Sequence, residues 1–466
     1  MAQNLRNLIF KGIDEGVIPT LMDFIRVPNL SPLYDSEWET NGRMEQAISV
    51  ITGYMDSLNI RNFTKEIIRE PGKAPILFGE VQATQPGLGT VLIYGHIDKQ
   101  PHFTGWIEGA NNTEPAIING KLYGRGGGDD GYSMPTAALL VKTLQTLEIP
   151  HGRIVIIGEN EEESGSINLK YYLNKLKDRI GEPEVTFCLD SGIGDYEHFW
   201  ITNSLRGVLK IDVTVRLINE GVHSGGSGVI PDSFRILRQL LDRIEDSKSG
   251  EILLPELHTQ IPPEIYAQAA ATASIIDEVK SVSWVSGGKP VTEDKVMQTV
   301  NQTWKPTLCV VGAEGFPTIQ NAGNLIRPYT SVRLSIRLPP GINGPAAQER
   351  VIHELTRDPP YGAHIEIKTA KPNEGWRLQP LSPWLSESIQ RASQEYFGKD
   401  ALYFGVGGSI HLMGMLAEIF PSTELLVTGI LGTDSGAHSC NENLRIDYLR
   451  SFACCVGSIL ADHARK

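Results

Sequence analysis

The sequence predicts an α/β fold: a main domain with a mostly parallel central sheet flanked by helices, plus an inserted α+β domain. Two observations predict it. Between residues 74 and 189, short apolar runs alternate with helical stretches, the pattern of strands joined by crossover helices. Between about 206 and 376, apolar and polar residues alternate within runs, as in antiparallel strands exposed on one face. The first pattern returns after 376. The expected main domain is therefore 1–205 with 377–466, and the expected insert is 206–376.

In chain order, Leu5, Leu8, Ile9, Ile13, Ile18, Leu21 and Ile25 fall mostly at helical spacing, and Pro28 and Pro32 end that element. A second helix is predicted over 42–57. Strands follow at Ala74–Val81 and Val91–Tyr94, then a long loop with Pro101, Gly105, Gly109 and Asn111-Asn112. The glycine run from Gly124 to Gly131 leads into a helix near 134–147. A strand at Arg153–Gly158, a helix at 164–178 and a strand at Glu184–Leu189 complete the first block.

In the insert, Leu209, Ile211, Val213, Val215 and Leu217 alternate with mostly polar neighbours. Residues 232–245 form an amphipathic helix with Asp232 as its expected N-cap. Thr330–Leu338 alternates again, 345–356 is helical, and His364–Thr369 is a strand. The last block reads helix 382–397, strand Ala401–Phe404, strand Glu424–Ile430 and helix 446–463. No internal repeat or low-complexity tract interrupts the chain.

Composition narrows the function classes. The chain has 466 residues, 41% hydrophobic and 21% charged, with a net charge of −13. A nucleic-acid surface needs basic patches, and this balance argues against one. The five cysteines, Cys188, Cys309, Cys440, Cys454 and Cys455, form no CxxC pair. That argues against a disulfide framework and against a thiolate zinc site. Neither a signal-peptide pattern nor a run of 18 apolar residues is evident, so the expectation is a soluble, cytoplasmic protein without a membrane partner.

Chemistry-bearing residues gather after the predicted strands. Tyr94-Gly95-His96-Ile97-Asp98 follows Val91–Ile93, and a His with a nearby carboxylate can serve as a metal ligand with its tautomer fixed. The loop Gly124-Arg125-Gly126-Gly127-Gly128-Asp129-Asp130-Gly131 lacks the Lys-Ser/Thr of a phosphate loop and the G-x-G-x-x-G spacing. Its glycines instead allow a sharp turn, with one Asp as a ligand and the other supporting the loop. Glu159-Asn160-Glu161-Glu162-Glu163 follows the next strand; acidic residues favour a helix N-terminus, which accounts for one or two of the four. Asp190-Ser191-Gly192 and Asp434-Ser435-Gly436-Ala437-His438 follow two more. Ligands of open α/β sheets sit beyond the carboxyl ends of the strands. Two His and several carboxylates without a thiol suit Zn²⁺, Mn²⁺ or Co²⁺ in a hydrolytic site.

The motifs YGHIDKQP, GRGGGDDGY, EEESGS, LDSG, SLRG, GVHSG, SIRLPP, GGSI and GAHSCNE resemble, in order and over nearly the whole chain, those of the dizinc metallopeptidases. That family includes carnosinase, glutamate carboxypeptidase, succinyl-diaminopimelate desuccinylase and aminoacylase, and the resemblance is to its carnosinase-like branch. It implies a catalytic α/β domain, an inserted lid that commonly forms a homodimer, and two divalent ions per chain, Zn²⁺ first among them. It implies His96, Asp129, Glu163, Asp190 and His438 as metal ligands, Asp129 bridging. Glu162 resembles the general base and Asp98 the carboxylate that orients His96. His223 resembles the histidine that stabilises the oxyanion in the neighbouring subunit, and Arg337 the arginine that binds a substrate carboxylate. Gly408 and Ser409 match a loop that contacts substrate.

Two places depart from that pattern. Val406 stands where many relatives carry Glu, and His411 where they carry Pro. The missing carboxylate leaves recognition of a free substrate amino group open, and a blocked N-terminal side is the alternative. The reaction expected is hydrolysis of dipeptides or short peptides, with deacylation of N-acyl amino acids as the nearer alternative. A non-catalytic binding protein on the same fold is a more distant one.

Overall fold

Val91, Leu92, Ile93 and Tyr94 are at most 1% exposed and lie in the middle of a six-stranded sheet. The computed structural model describes residues 2–277, 279–280, 282–408 and 411–466, the side chain of His411 excepted. The chain divides into two compact units. One comprises Met1–Asn203, Leu378–Phe404 and His411–Lys466; the other comprises Ser204–Arg377 with Gly405–Ile410.

The sheet of the first unit runs, in order, Phe63–Glu70, Lys73–Val81, Arg153–Glu159, Thr90–His96, Pro183–Cys188, Glu424–Val427. Its last four strands pair in parallel, and the first two are antiparallel additions at one edge. The strand Thr90–His96 is buried on both faces, which explains its nearly continuous apolar run. Strand Phe63–Glu70 escapes the sequence reading because its edge position admits the charged pairs Lys65-Glu66 and Arg69-Glu70 around Ile67-Ile68, which leaves neither an apolar run nor a clean alternation.

The helix Ser133–Thr146 packs against the Thr90–His96 strand and buries all but two of its side chains. Gly95 permits this approach: a Cβ there would strike Ser133 Oγ and Asp130 Oδ2. Helix Ile446–His463 begins and ends where the apolar periodicity places it.

The second unit holds a four-stranded antiparallel sheet, ordered Thr307–Glu314, Tyr329–Leu338, Gly207–Arg216, His364–Thr369. Alternate residues of Gly207–Arg216 and Tyr329–Leu338 are buried. Leu209, Ile211, Val213, Leu334 and Ile336 pack with Ile236, Leu237 and Leu240 of helix Ser233–Leu241 and with Val351 and Leu355 of helix Gly344–Thr356. Each such side chain gains roughly 1.5–3 kcal/mol on burial. Asp232 stands at the N-cap of Ser233–Leu241, but its side chain does not cap the helix. Its Oδ1 accepts a hydrogen bond from Arg327 Nη2 at 3.2 Å instead, a correction to the expected cap.

Candidate metal centre

Four parallel strands end on one edge of the sheet, and the segments beyond them converge. His96 is the last residue of its strand and is fully buried. Its Nδ1 lies 3.2 Å from the Asp98 carbonyl oxygen and 3.5 Å from Asp98 Oδ1. Both are acceptors, so the proton belongs on Nδ1 and the Nε2 lone pair faces inward. Nε2 is 3.3 Å from Asp129 Oδ1 and 4.0 Å from Asp190 Oδ2.

Asp98 does more than orient the ring. Its Oδ1 accepts from Glu162 N at 3.1 Å and its Oδ2 from Glu163 N at 3.0 Å. One buried carboxylate thus fixes His96 and the backbone of both glutamates. Bonds to backbone N–H groups leave no trace in a sequence, so this second role was not legible there.

The two aspartates of the glycine loop part company. Asp129 Oδ1 faces His96, and its Oδ2 lies 3.0 Å from His438 Nε2. Asp130 turns the other way: its Oδ2 accepts from His96 N at 3.0 Å, and its carbonyl accepts from Ser133 Oγ at 2.7 Å. His438 Nε2 also lies 3.3 Å from Glu163 Oε2. Donor atoms of His96, Glu162 and Asp190 fall within 4.8 Å of one another, as do those of His96, Asp129 and Glu163.

The acidic run divides its labour. Glu161 accepts from Asn168 N at 3.0 Å and from Asn168 Nδ2, just ahead of the helix Leu169–Ile180. Glu159 points inward, accepting from Tyr94 OH at 2.5 Å and Ser166 Oγ at 3.1 Å, and burial pushes its carboxyl up to about 8. That leaves Glu162 and Glu163 at the centre. Gln100, which the sequence reading passed over, donates from Nε2 to Glu163 Oε2 at 2.5 Å. Its place four residues after His96 was the available signal.

These residues fit a pair of cations. Burial pushes Glu163 up to about 7 and Asp190 up to about 6, and it pushes Glu162 well above its usual value with help from Asp190. Hydrogen bonds to Asp129 and Glu163 push His438 up to about 11, so the pocket favours positive charge. Glu163 Oε1 is buried without a hydrogen-bond partner. Carboxylate and imidazole donors without thiolate suit a borderline divalent ion.

In the second unit, His223 is exposed on the two-residue strand Val222–His223, and its Nδ1 accepts from Gly225 N at 3.0 Å. Arg337 is half-buried on the Tyr329–Leu338 strand, directly opposite Thr307 and Val208. Arg206 Nη1 donates to Thr307 Oγ1 at 3.1 Å, its Nε to the Gly407 carbonyl at 3.3 Å, and its backbone N to the Gly408 carbonyl at 3.0 Å. Burial and then Arg337 bring Arg206 down to about 10, so cationic charge is concentrated here. Ser409 lies outside the described residues.

The sequence model of Peptidase family M20/M25/M40 matches residues 92–461. The chain belongs to this family. It is a peptidase, and similar to dipeptidases. The Beta-Ala-His dipeptidase of Homo sapiens is 27% identical over 405 residues, covering 79% of this chain and 74% of that one. The Cysteinylglycine-S-conjugate dipeptidase of Corynebacterium striatum is 22% identical over 409 residues, covering 86% of each. Among solved structures, human carnosine dipeptidase 1 superposes with a TM-score of 0.73 at 21% identity, covering 100% of this chain and 99% of that one. The fold of this M20 peptidase is therefore that of its structural neighbours. Among the described residues, no helix is long and apolar enough to cross a membrane.

Proposed function

We propose that this M20 peptidase is a two-metal dipeptidase with Glu162 as its general base. The observation that carries this reading is Asp129, whose two oxygens face two different imidazoles at 3.3 and 3.0 Å. A carboxylate so placed suits a bridge between two ions. His96 and Asp190 would hold one ion and His438 and Glu163 the other. Two such ions, when bound, acidify a water and polarise the scissile carbonyl. Zn²⁺ suits the donors best, with Mn²⁺ and Co²⁺ as alternatives.

The chain's own residues supply the rest. Glu162, with its raised carboxyl, takes the water's proton and passes it to the leaving amine. Asp98 holds the base in place through its backbone N–H. His223 donates to the developing oxyanion in the partner subunit of a homodimer. The edge strand Thr307–Glu314, exposed from Cys309 to Glu314, supports pairing through this unit. Arg337, beside Arg206, binds the substrate carboxylate, and Gly408 and Ser409 line the substrate. A cytoplasmic location accords with the five free cysteines.

A second reading keeps the same site for N-acyl amino acids. Val406 favours it, being an apolar residue where a free amino group would call for a carboxylate. A panel of dipeptides and N-acyl amino acids, with Zn²⁺, Mn²⁺ and Co²⁺ supplied separately, tests both. Release of two amino acids from the dipeptides is expected; cleavage of the N-acyl amino acids alone, to an acyl acid and a free amino acid, would replace the first reading with the second. Hydrolysis of neither class would overturn both.

A further inference from the structure

Glu442 and Arg125 form a fully buried ion pair, with Arg125 Nη1 donating to Glu442 Oε2 at 2.7 Å. Neither has a part in the chemistry proposed above. Glu442 Oε1 accepts from Gly126 N at 2.9 Å, Gly128 N at 3.2 Å and Asp129 N at 3.1 Å. Its Oε2 also accepts from Gly126 N, at 3.0 Å. One carboxylate therefore gathers three backbone N–H groups of the glycine loop, the last of them belonging to Asp129. Gly126 takes a positive φ of 81°, and a Cβ there would lie 2.5 Å from Lys99 Cε, so the loop has this close-packed path only with glycine.

The same pair reaches the other side. Arg125 Nη2 donates to the carbonyl of Ser439, the residue after His438, at 2.5 Å. Asn443 closes the segment, donating from N to the Ser435 carbonyl at 2.7 Å and from Nδ2 to the Asp434 carbonyl at 2.8 Å. His438 itself has a positive φ of 58° and a side chain 58% exposed, so packing does little to hold it. His96, by contrast, ends a buried strand and lies against Asp98.

We infer that the Arg125–Glu442 pair is a positioning device for one half of the metal centre: it sets the spacing of Asp129 and His438, and so the affinity of the ion those two share with Glu163. The inference rests on the two-metal reading. Among the described residues, the pair's hydrogen bonds run to the loop from Gly126 to Asp129 and to Ser439, so the ion on the His96 and Asp190 side would depend on it chiefly through the shared Asp129. A buried carboxylate with these partners loses all of them on truncation, whereas Gln keeps an acceptor oxygen for the loop N–H groups.

The experiment is a Zn²⁺ titration of the chelator-stripped full-length protein, read by calorimetry and chelator competition, with the thermal midpoint followed in parallel. Wild type is expected to bind two ions in resolvable steps. Glu442→Ala should weaken one step about 10–100-fold, the scale for losing an outer partner of a ligand, and move the other by under about 3-fold. Glu442→Gln should fall between. A mere loss of stability would lower the thermal midpoint and weaken both steps together, which overturns the inference. Two unchanged steps in Glu442→Ala also overturn it. If Glu442→Ala does not fold, Arg125→Lys decides: it keeps a cation beside Glu442 but loses the second branch to Ser439. It should weaken the same single step, and unchanged binding there overturns the inference. A wild type that binds no pair of ions overturns the two-metal reading itself, a result distinct from the others.

Discussion

The buried ligands of the first unit and His223 of the second are held in opposite ways. In the first, His96 and Asp98 are fully buried, and Glu163 is nearly so. Each is tied to backbone: Asp98 accepts from Glu162 N and Glu163 N, and Asp130 from His96 N. In the second, His223 is exposed, and its side chain accepts a hydrogen bond from Gly225 N two residues away. The difference teaches where rigidity is needed. Ligands for closely spaced cations must be held in place before the ions arrive, because repelling carboxylates would otherwise swing apart or take up protons. A group that meets the substrate only during reaction must remain reachable.

The largest test of the contrast is removal of the ions. Chelation should abolish hydrolysis, a divalent ion should restore it, and metal analysis should approach two ions per chain. Intact activity in a metal-free preparation would break the assignment of the first unit while leaving the second untouched.

Next in size is His223→Ala. An oxyanion donor acts mainly in the transition state, so kcat should fall about 10²–10³-fold with a smaller rise in KM. Metal binding should stay at the wild-type level, since none of the proposed ligands lies in the second unit. Mixing inactive His223→Ala with inactive Glu162→Gln should regenerate activity if subunits exchange, because one composite site per mixed dimer keeps both groups. Demonstrated exchange without recovery would mean that His223 does not act across subunits.

Glu162→Gln sharpens the contrast within the first unit. Kcat should fall at least about 10²-fold while both ions are retained, since Glu162 is read as a base and not a ligand. Metal loss in that variant would move Glu162 among the ligands, a role that its proximity to His96 and Asp190 keeps geometrically open.

How much of this the sequence carried depends on what makes each feature. The parallel strands were legible because burial on both faces writes an apolar run, as in Val91–Tyr94. The convergence of His96, Asp129, Glu162, Glu163, Asp190 and His438 was legible because each follows a strand or opens a helix on one edge of the sheet. Helices Pro263–Thr272 and Lys295–Trp304 were not, because they pack on each other through few buried residues, such as Ala269, Val300 and Trp304. The second role of Asp98 and the reach of Glu442 to Gly126, Gly128 and Asp129 were illegible for another reason: their partners are backbone amides, which every residue but proline carries.

Gln100 gives the smallest expected effect and the finest test of how rigidly the first unit holds its ligands. Its Nε2 donates to Glu163 Oε2, the oxygen that also faces His438, at 2.5 Å. That oxygen cannot point its lone pairs freely while the amide holds it, so Gln100 narrows the orientations of a carboxylate that would otherwise rotate. Gln100→Ala removes the donor without adding charge or bulk. Ligand affinity should fall by about 10-fold, the low end for an outer partner, because Glu163 N remains fixed by Asp98. Gln100→Glu should do worse, since a second carboxylate would then face Glu163 across the same short distance. Metal titration separates the two variants: wild-type binding in Gln100→Ala would mean that the amide beside Glu163 contributes nothing measurable.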